Sequence, residues 1–149
     1  MGEDLARLPA LRVGVGALGG LPARLAALVP EGATLVLVRG GASLDARPAW
    51  PALREQLAAR WRLVEERISG EPTVADCELA LARLRPQAPA GVLAVGGGAA
   101  LDLGKALAGL LASGTELMDH LEGVGRGLGF PGHRLPLVMV PTTAGTGSE

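Results

Sequence analysis

Residues 91–105 read Gly-Val-Leu-Ala-Val-Gly-Gly-Gly-Ala-Ala-Leu-Asp-Leu-Gly-Lys. The opening run, Gly91 to Val95, is apolar at every position and of strand length. A strand with no polar face is covered on both faces, which points to a parallel sheet between helical layers. From Ala100 to Ala112 apolar residues recur at helical spacing. Between the two lie Gly96-Gly97-Gly98, so the stretch reads strand, glycine turn, helix: half of a βαβ unit.

The same alternation extends in both directions. Thr34 to Val38 (TLVLV) is a second continuous apolar run, followed by Arg39-Gly40-Gly41, and Leu137 to Val140 (LVMV) is a third, closed by Pro141. Arg12 to Val15 is a short β-branched run among glycines and reads as a further strand. Helical spacing occurs in Leu21 to Val29, Pro51 to Ala59 and Val74 to Leu84. Thr73 is placed to cap the last of these, with Asp76 in its first turn. Trp61 to Ile68 is ambiguous by period and is assigned as a strand. Gly123 to Pro136 reads as a loop. The expected fold class is α/β, a parallel sheet with helices on both faces.

Composition narrows the function classes. The 149 residues suffice for one domain. A net charge of -1 argues against a nucleic-acid binder. Cys77 is the only cysteine, so neither an internal disulfide nor a cysteine-rich zinc site can form. No apolar run reaches the ~18 residues of a membrane span, and the first residues carry no hydrophobic signal core. The expectation is a soluble cytoplasmic protein without nucleic-acid or membrane partners.

Three glycine-bearing turns compete for a phosphate. Gly14-Val15-Gly16-Ala17-Leu18-Gly19 matches G-x-G-x-x-G, a weak signal in a chain with 23 glycines. Gly96-Gly97-Gly98 combines unshielded backbone N–H groups with a helix N-terminus, the usual construction of an anion site. It is not a P-loop, because Gly104-Lys105 precedes Ala106 and Ala99 stands where the first glycine is required. Asp102 is expected in the first turn of that helix, where it would repel a phosphate and so would act through hydrogen bonds. Lys105 reads as a solvated helix residue. The third turn is Pro141-Thr142-Thr143-Ala144-Gly145-Thr146-Gly147-Ser148-Glu149, four hydroxyls and two glycines beyond a buried strand. Ligands of parallel sheets bind at the carboxyl ends of strands.

Two of these segments carry a resemblance. Gly96 to Lys105 resembles the G-G-G-S-x-x-D-x-x-K motif of the iron-containing (group III) alcohol dehydrogenases, and PTTAGTGSE is that family's most distinctive string. Weaker echoes, at Gly14/Gly16 and Gly70-Glu71-Pro72-Thr73, extend the resemblance over nearly the whole chain. It implies a Rossmann-like N-terminal domain, like that of dehydroquinate synthase, binding NAD or NADP across residues 1–149. It further implies that Gly97, Gly98 and Ala99 contact the pyrophosphate, that Thr142, Thr143 and Thr146 line the cofactor cleft, and that Asp102 supports it. Three positions depart from the family: Ala99 replaces a serine, Glu71 an asparagine, and Arg39-Gly40 stand where NAD-preferring members carry an aspartate. Arg39 is therefore a candidate for binding a 2′-phosphate, with NADP favoured over NAD.

The family's iron or other divalent metal belongs to a C-terminal helical domain, which is expected to be absent here. His120 and His133 lie in no family metal motif, and no catalytic or metal-ligating residue is assigned. The resemblance thus implies the NAD(P)-binding portion of an oxidoreductase, inactive by itself. Two alternatives stand beside it: a self-sufficient nucleotide- or anion-binding protein without catalysis, and a half-enzyme completed by a separate C-terminal chain. Apolar surface left for a second domain would promote homo-oligomers.

Overall fold

The computed structural model describes residues 10–148. Residues 1–9 and Glu149, the end of the PTTAGTGSE string, lie outside the described residues. Four strands form one sheet: β1 (Thr34–Arg39), β2 (Arg62–Arg67), β3 (Gly91–Gly96) and β4 (Leu137–Pro141). Their spatial order is β2-β1-β3-β4, and every neighbouring pair is parallel. Parallel neighbours need crossovers, and helices supply them. α2 (Ala42–Asp45) and α3 (Trp50–Ala58) join β1 to β2; α4 (Val74–Leu84) joins β2 to β3. α5 (Gly98–Ser113) and α6 (Leu117–His120) join β3 to β4, and α1 (Leu21–Ala26) precedes β1.

Side chains along a strand alternate between faces, so each central strand feeds two cores. Leu35, Leu37, Leu93 and Val95 pack with Leu21, Leu25, Trp50, Leu53 and Leu57 from α1 and α3. Val36, Val38, Val92 and Ala94 pack with α4 and α5 on the opposite face. Most of these side chains are wholly buried, and burial of each large one contributes roughly 1.5–3 kcal/mol. The expected α/β layering is thus the observed one. α4 begins as read from the sequence: Thr73 Oγ1 accepts the Asp76 N–H, and the Asp76 carboxylate accepts the Thr73 N–H, a reciprocal capping box. No helix of the described residues is long and apolar enough to cross a membrane.

Two expectations are corrected. Arg12 to Val15 forms no strand; it is irregular, and Val13 and Val15 lie fully in solvent. A β-branched run becomes a strand only when a neighbour completes its ladder, and none of the four strands pairs with it. Gly14 to Gly19 therefore follows no strand and leads through a 3-10 turn, Ala17–Gly20, into the six-residue α1. The dinucleotide fingerprint requires strand, turn and helix in succession, so this match falls. The ambiguous Trp61–Ile68 run does contain a strand, at the sheet edge, where polar residues such as Arg62 and Arg67 reach water.

Candidate functional site

The strand order reverses between β1 and β3: β1 leads to β2 on one side, and the chain then returns to place β3 on the other. The crevice beyond the carboxyl ends of two such strands is where open α/β sheets bind ligands. β3 ends there in Gly96, and Gly40 directly follows the end of β1. The Gly40 N–H donates to the Val95 carbonyl (3.1 Å), drawing the two turns together. A Cβ on Gly96 would stand 2.8 Å from the Ala100 Cβ and 3.1 Å from the Gly40 nitrogen. Gly96 also has φ +158°, in the range that favours glycine.

α5 starts at Gly98 with Gly97 as its cap residue, two residues earlier than the apolar period suggests. Glycine hides the start from a pattern search, because it has no side chain to mark a face. Gly97 offers no capping group, and the first N–H groups of a helix have no intrahelical acceptor. The Gly98 and Ala99 N–H groups therefore face the crevice at the positive end of a 16-residue helix. The earlier start moves Asp102 from the first turn into the second.

The Thr142–Ser148 segment lies directly against this turn. The Thr142 N–H donates to the Gly96 carbonyl (2.9 Å), continuing the β3–β4 ladder past Pro141. A Cβ on Gly97 would come 3.3 Å from Thr143 Oγ1, and one on Gly98 3.1 Å from Ser148 Oγ. A side chain at Gly97 or Gly98 would require Thr143, Thr146 or Ser148 to give way by a few tenths of an ångström. Ser148 is buried, and its Oγ donates to Asp102 Oδ2 (2.9 Å), tying the end of the loop to α5. Asp102 Oδ1 meets the Lys105 ammonium at 2.9 Å. That ammonium holds the Asp102 carboxyl below its ordinary range, helped by the Ser148 hydroxyl and opposed by partial burial. Lys105 is thus a partner of Asp102 as well as a solvated residue. Thr142, Thr143 and Thr146 remain exposed at the mouth. The structure thus brings together Gly97, Gly98, Ala99, Asp102, Thr142, Thr143 and Thr146. Ser148 was missed as a contributor, although its hydroxyl was among the four noted in the string.

Arg39 ends β1, as expected, and its guanidinium is already engaged by two carboxylates. Nε donates to Glu65 Oε2 (3.0 Å), Nη1 meets Asp45 Oδ1 (2.5 Å), and the group lies 6.0 Å from the Trp50 ring centroid. Only 11% of the side chain is exposed. Asp45 also pairs with Arg67 (2.8 Å) and Glu65 with Arg54 (2.5 Å), so three guanidinia surround two carboxylates. The Arg39 hydrogen bond holds the Asp45 carboxyl below its usual value, with Arg67 adding to the effect. No sequence period announces α2, the short helix that carries Asp45 back to Arg39.

His120 is a pin rather than a ligand. Its ring nitrogens lie 2.8 Å from Thr115 Oγ1 and 3.0 Å from the Leu128 carbonyl, with Phe130 edge-on at 5.0 Å. Among the described residues no group of three His, Cys, Asp or Glu is placed to hold a metal ion. These residues do not fit an iron site.

The chain is 45% identical over 80 residues to a probable alcohol dehydrogenase, EutG, of Salmonella typhimurium, covering 54% of this chain and 19% of that protein. It is 40% identical over 78 residues to a 4-hydroxybutyrate dehydrogenase of Cupriavidus necator, covering 52% and 20%. The sulfoacetaldehyde reductase of Bifidobacterium kashiwanohense, solved in complex with NAD+, superposes with a TM-score of 0.77 at 24% identity over 100% of this chain and 38% of that one. An iron-containing alcohol dehydrogenase of Thermotoga maritima superposes with a TM-score of 0.69 at 27% identity, over 89% and 35%. The chain therefore spans well under half the length of these relatives. The family model for iron-containing alcohol dehydrogenase matches residues 9–149, and the chain belongs to that family.

Proposed function

We propose that this chain is the dinucleotide-binding region of an alcohol or aldehyde oxidoreductase. One observation carries the reading. The Gly96–Gly98 turn and the Thr142–Ser148 loop pack face to face at the strand-order reversal, joined by Thr142 to Gly96 and by Ser148 to Asp102. The Gly97, Gly98 and Ala99 backbone is the pyrophosphate cradle, set against the start of α5. Thr142, Thr143 and Thr146 supply hydroxyls on the β4 side, where the nicotinamide half lies. The adenosine half then crosses β1, toward Gly40 and Arg39. Asp102 does not touch the phosphates; it holds the loop through Ser148.

The bound dinucleotide would supply or accept the hydride. The residues of this chain bind and orient it, and none of them takes a proton in the reaction. The family's iron has no ligand set among the described residues, and no step proposed for this chain runs through it. Both NAD(H) and NADP(H) are accepted, with NADP(H) favoured. Gly40 and Gly41 directly follow β1, so neither of the two residues after the strand carries a carboxylate to repel a 2′-phosphate.

Calorimetric titration of the chain with NADPH and NADH tests this reading. Micromolar binding that falls at least tenfold in Gly98→Val is the expected result, because the valine would wedge the two turns apart. Equal binding by Gly98→Val would overturn the cradle.

A further inference from the structure

The cluster around Arg39 is built to answer a second anion. Asp45 places its two carboxylate oxygens on two different guanidinia, Oδ1 on Arg39 (2.5 Å) and Oδ2 on Arg67 (2.8 Å). A phosphate monoester takes the same bridging position between paired arginines. Arg39 is held in place from behind by Glu65 and by the Trp50 ring, so its guanidinium keeps its orientation whichever anion it faces. Arg67, by contrast, is half exposed, as is Asp45. A cavity of about 470 Å³ opens beside Arg39 and Asp45, with Trp50, Arg54, Glu55 and Glu65 also in its lining.

Resting on the cradle reading above, we propose that Asp45 is a built-in competitor for the 2′-phosphate of NADP. The carboxylate occupies the Arg39–Arg67 pair when the adenosine ribose carries a plain 2′-hydroxyl, and a 2′-phosphate displaces it. The position follows from the sheet. A pyrophosphate held at the end of β3 places the adenosine ribose over the next strand, β1, about 5 Å away. β1 ends in Arg39, and β2 beyond it ends in Arg67, its register partner. Asp45 sits on a single helical turn, α2, at the surface, so its side chain can leave the pair without disturbing either core. Coenzyme choice in this chain is then set by a displaceable ion pair. Arg39 and Arg67 are the positioning groups for the phosphate, and Asp45 lowers its affinity.

The test compares 5′-ADP with 2′,5′-ADP as calorimetric ligands, which differ only in the 2′-phosphate. In Asp45→Asn the affinity for 2′,5′-ADP should rise about tenfold while that for 5′-ADP stays within twofold. Adding Arg39→Gln to Asp45→Asn should abolish the gain. Asp45→Ser, shorter and neutral, should reproduce the gain and guards against an effect peculiar to asparagine. Circular dichroism confirms that each variant folds. If 5′-ADP binds but Asp45→Asn and Asp45→Ser leave the ratio of the two affinities unchanged, the competitor role is overturned and the cradle stands. If 5′-ADP does not bind the unaltered chain, the cradle falls and the competitor role with it.

Discussion

Gly104 holds α5 close against Ala94 of β3, and replacing it with alanine measures how firmly that helix is seated. Alanine is favoured over glycine inside a helix by about 1 kcal/mol. Here the new methyl would stand 2.6 Å from the Ala94 Cβ on β3. Non-bonded carbons settle at roughly 3.5–4.0 Å, so α5 would have to retreat by about 1 Å. Overpacking of that kind costs roughly 1–3 kcal/mol. The net expectation for Gly104→Ala is a loss of about 1 kcal/mol, against the sign of helix propensity. Urea unfolding reads it as a lower midpoint at unchanged slope. In an Ala94→Gly background the nearest remaining atom of residue 94 is its Cα at 3.9 Å, an ordinary contact. There the same substitution should stabilise by about 1 kcal/mol. The coupling between the two sites is then roughly 2 kcal/mol, well above the ~0.5 kcal/mol scatter of independent sites. Stabilisation by Gly104→Ala in both backgrounds would refute the close seating of α5, and with it the fixed placement of the glycine turn at its start.

Two further outcomes follow from single groups. The Asp102 carboxyl titrates below its ordinary value, chiefly through Lys105, so its bond to Ser148 is fully present above about pH 4 and is lost as pH falls through the depressed value. Amide exchange in the Thr142–Ser148 loop should therefore be flat between pH 8 and 5 once corrected for intrinsic rates, and faster throughout in Asp102→Ala; a loop that loosens with a midpoint at or above pH 5 would contradict the assignment. Cys77 is 2% exposed, and burial pushes its thiol up to about 11, so a disulfide reagent at pH 8 should modify it only at the rate of global unfolding, whereas prompt labelling of the folded chain would show α4 to be loosely packed.

The elements legible in the sequence were those whose signal is local. β1, β3 and β4 are apolar runs with no polar face, and the period alone separates them from the helices. Thr73 and Asp76 identified the start of α4 because a capping box is closed within four residues. Arg12 to Val15 carried the same β-branched signal and formed no strand, because pairing is supplied by a neighbour and not by the run itself. β2 was ambiguous for a related reason: an edge strand tolerates charge, and Glu66 is buried there only because Arg83 of α4 pairs with it. The glycine turn and the threonine loop were found as separate strings, Gly98 and Thr142 lying 44 positions apart, and that separation does not by itself say whether they touch.

The sequence by itself determined the α/β class, the family resemblance and the two strings that form the crevice, since each is written in consecutive residues. Only the tertiary structure decided that Asp102 reaches Ser148 and that Arg39 is already held by Asp45 and Glu65. Those partners lie on different elements, and their distances are set by sheet order and helix packing. A side chain's charge can be read from its letter, but whether that charge is available to a ligand depends on which neighbours the fold has placed beside it.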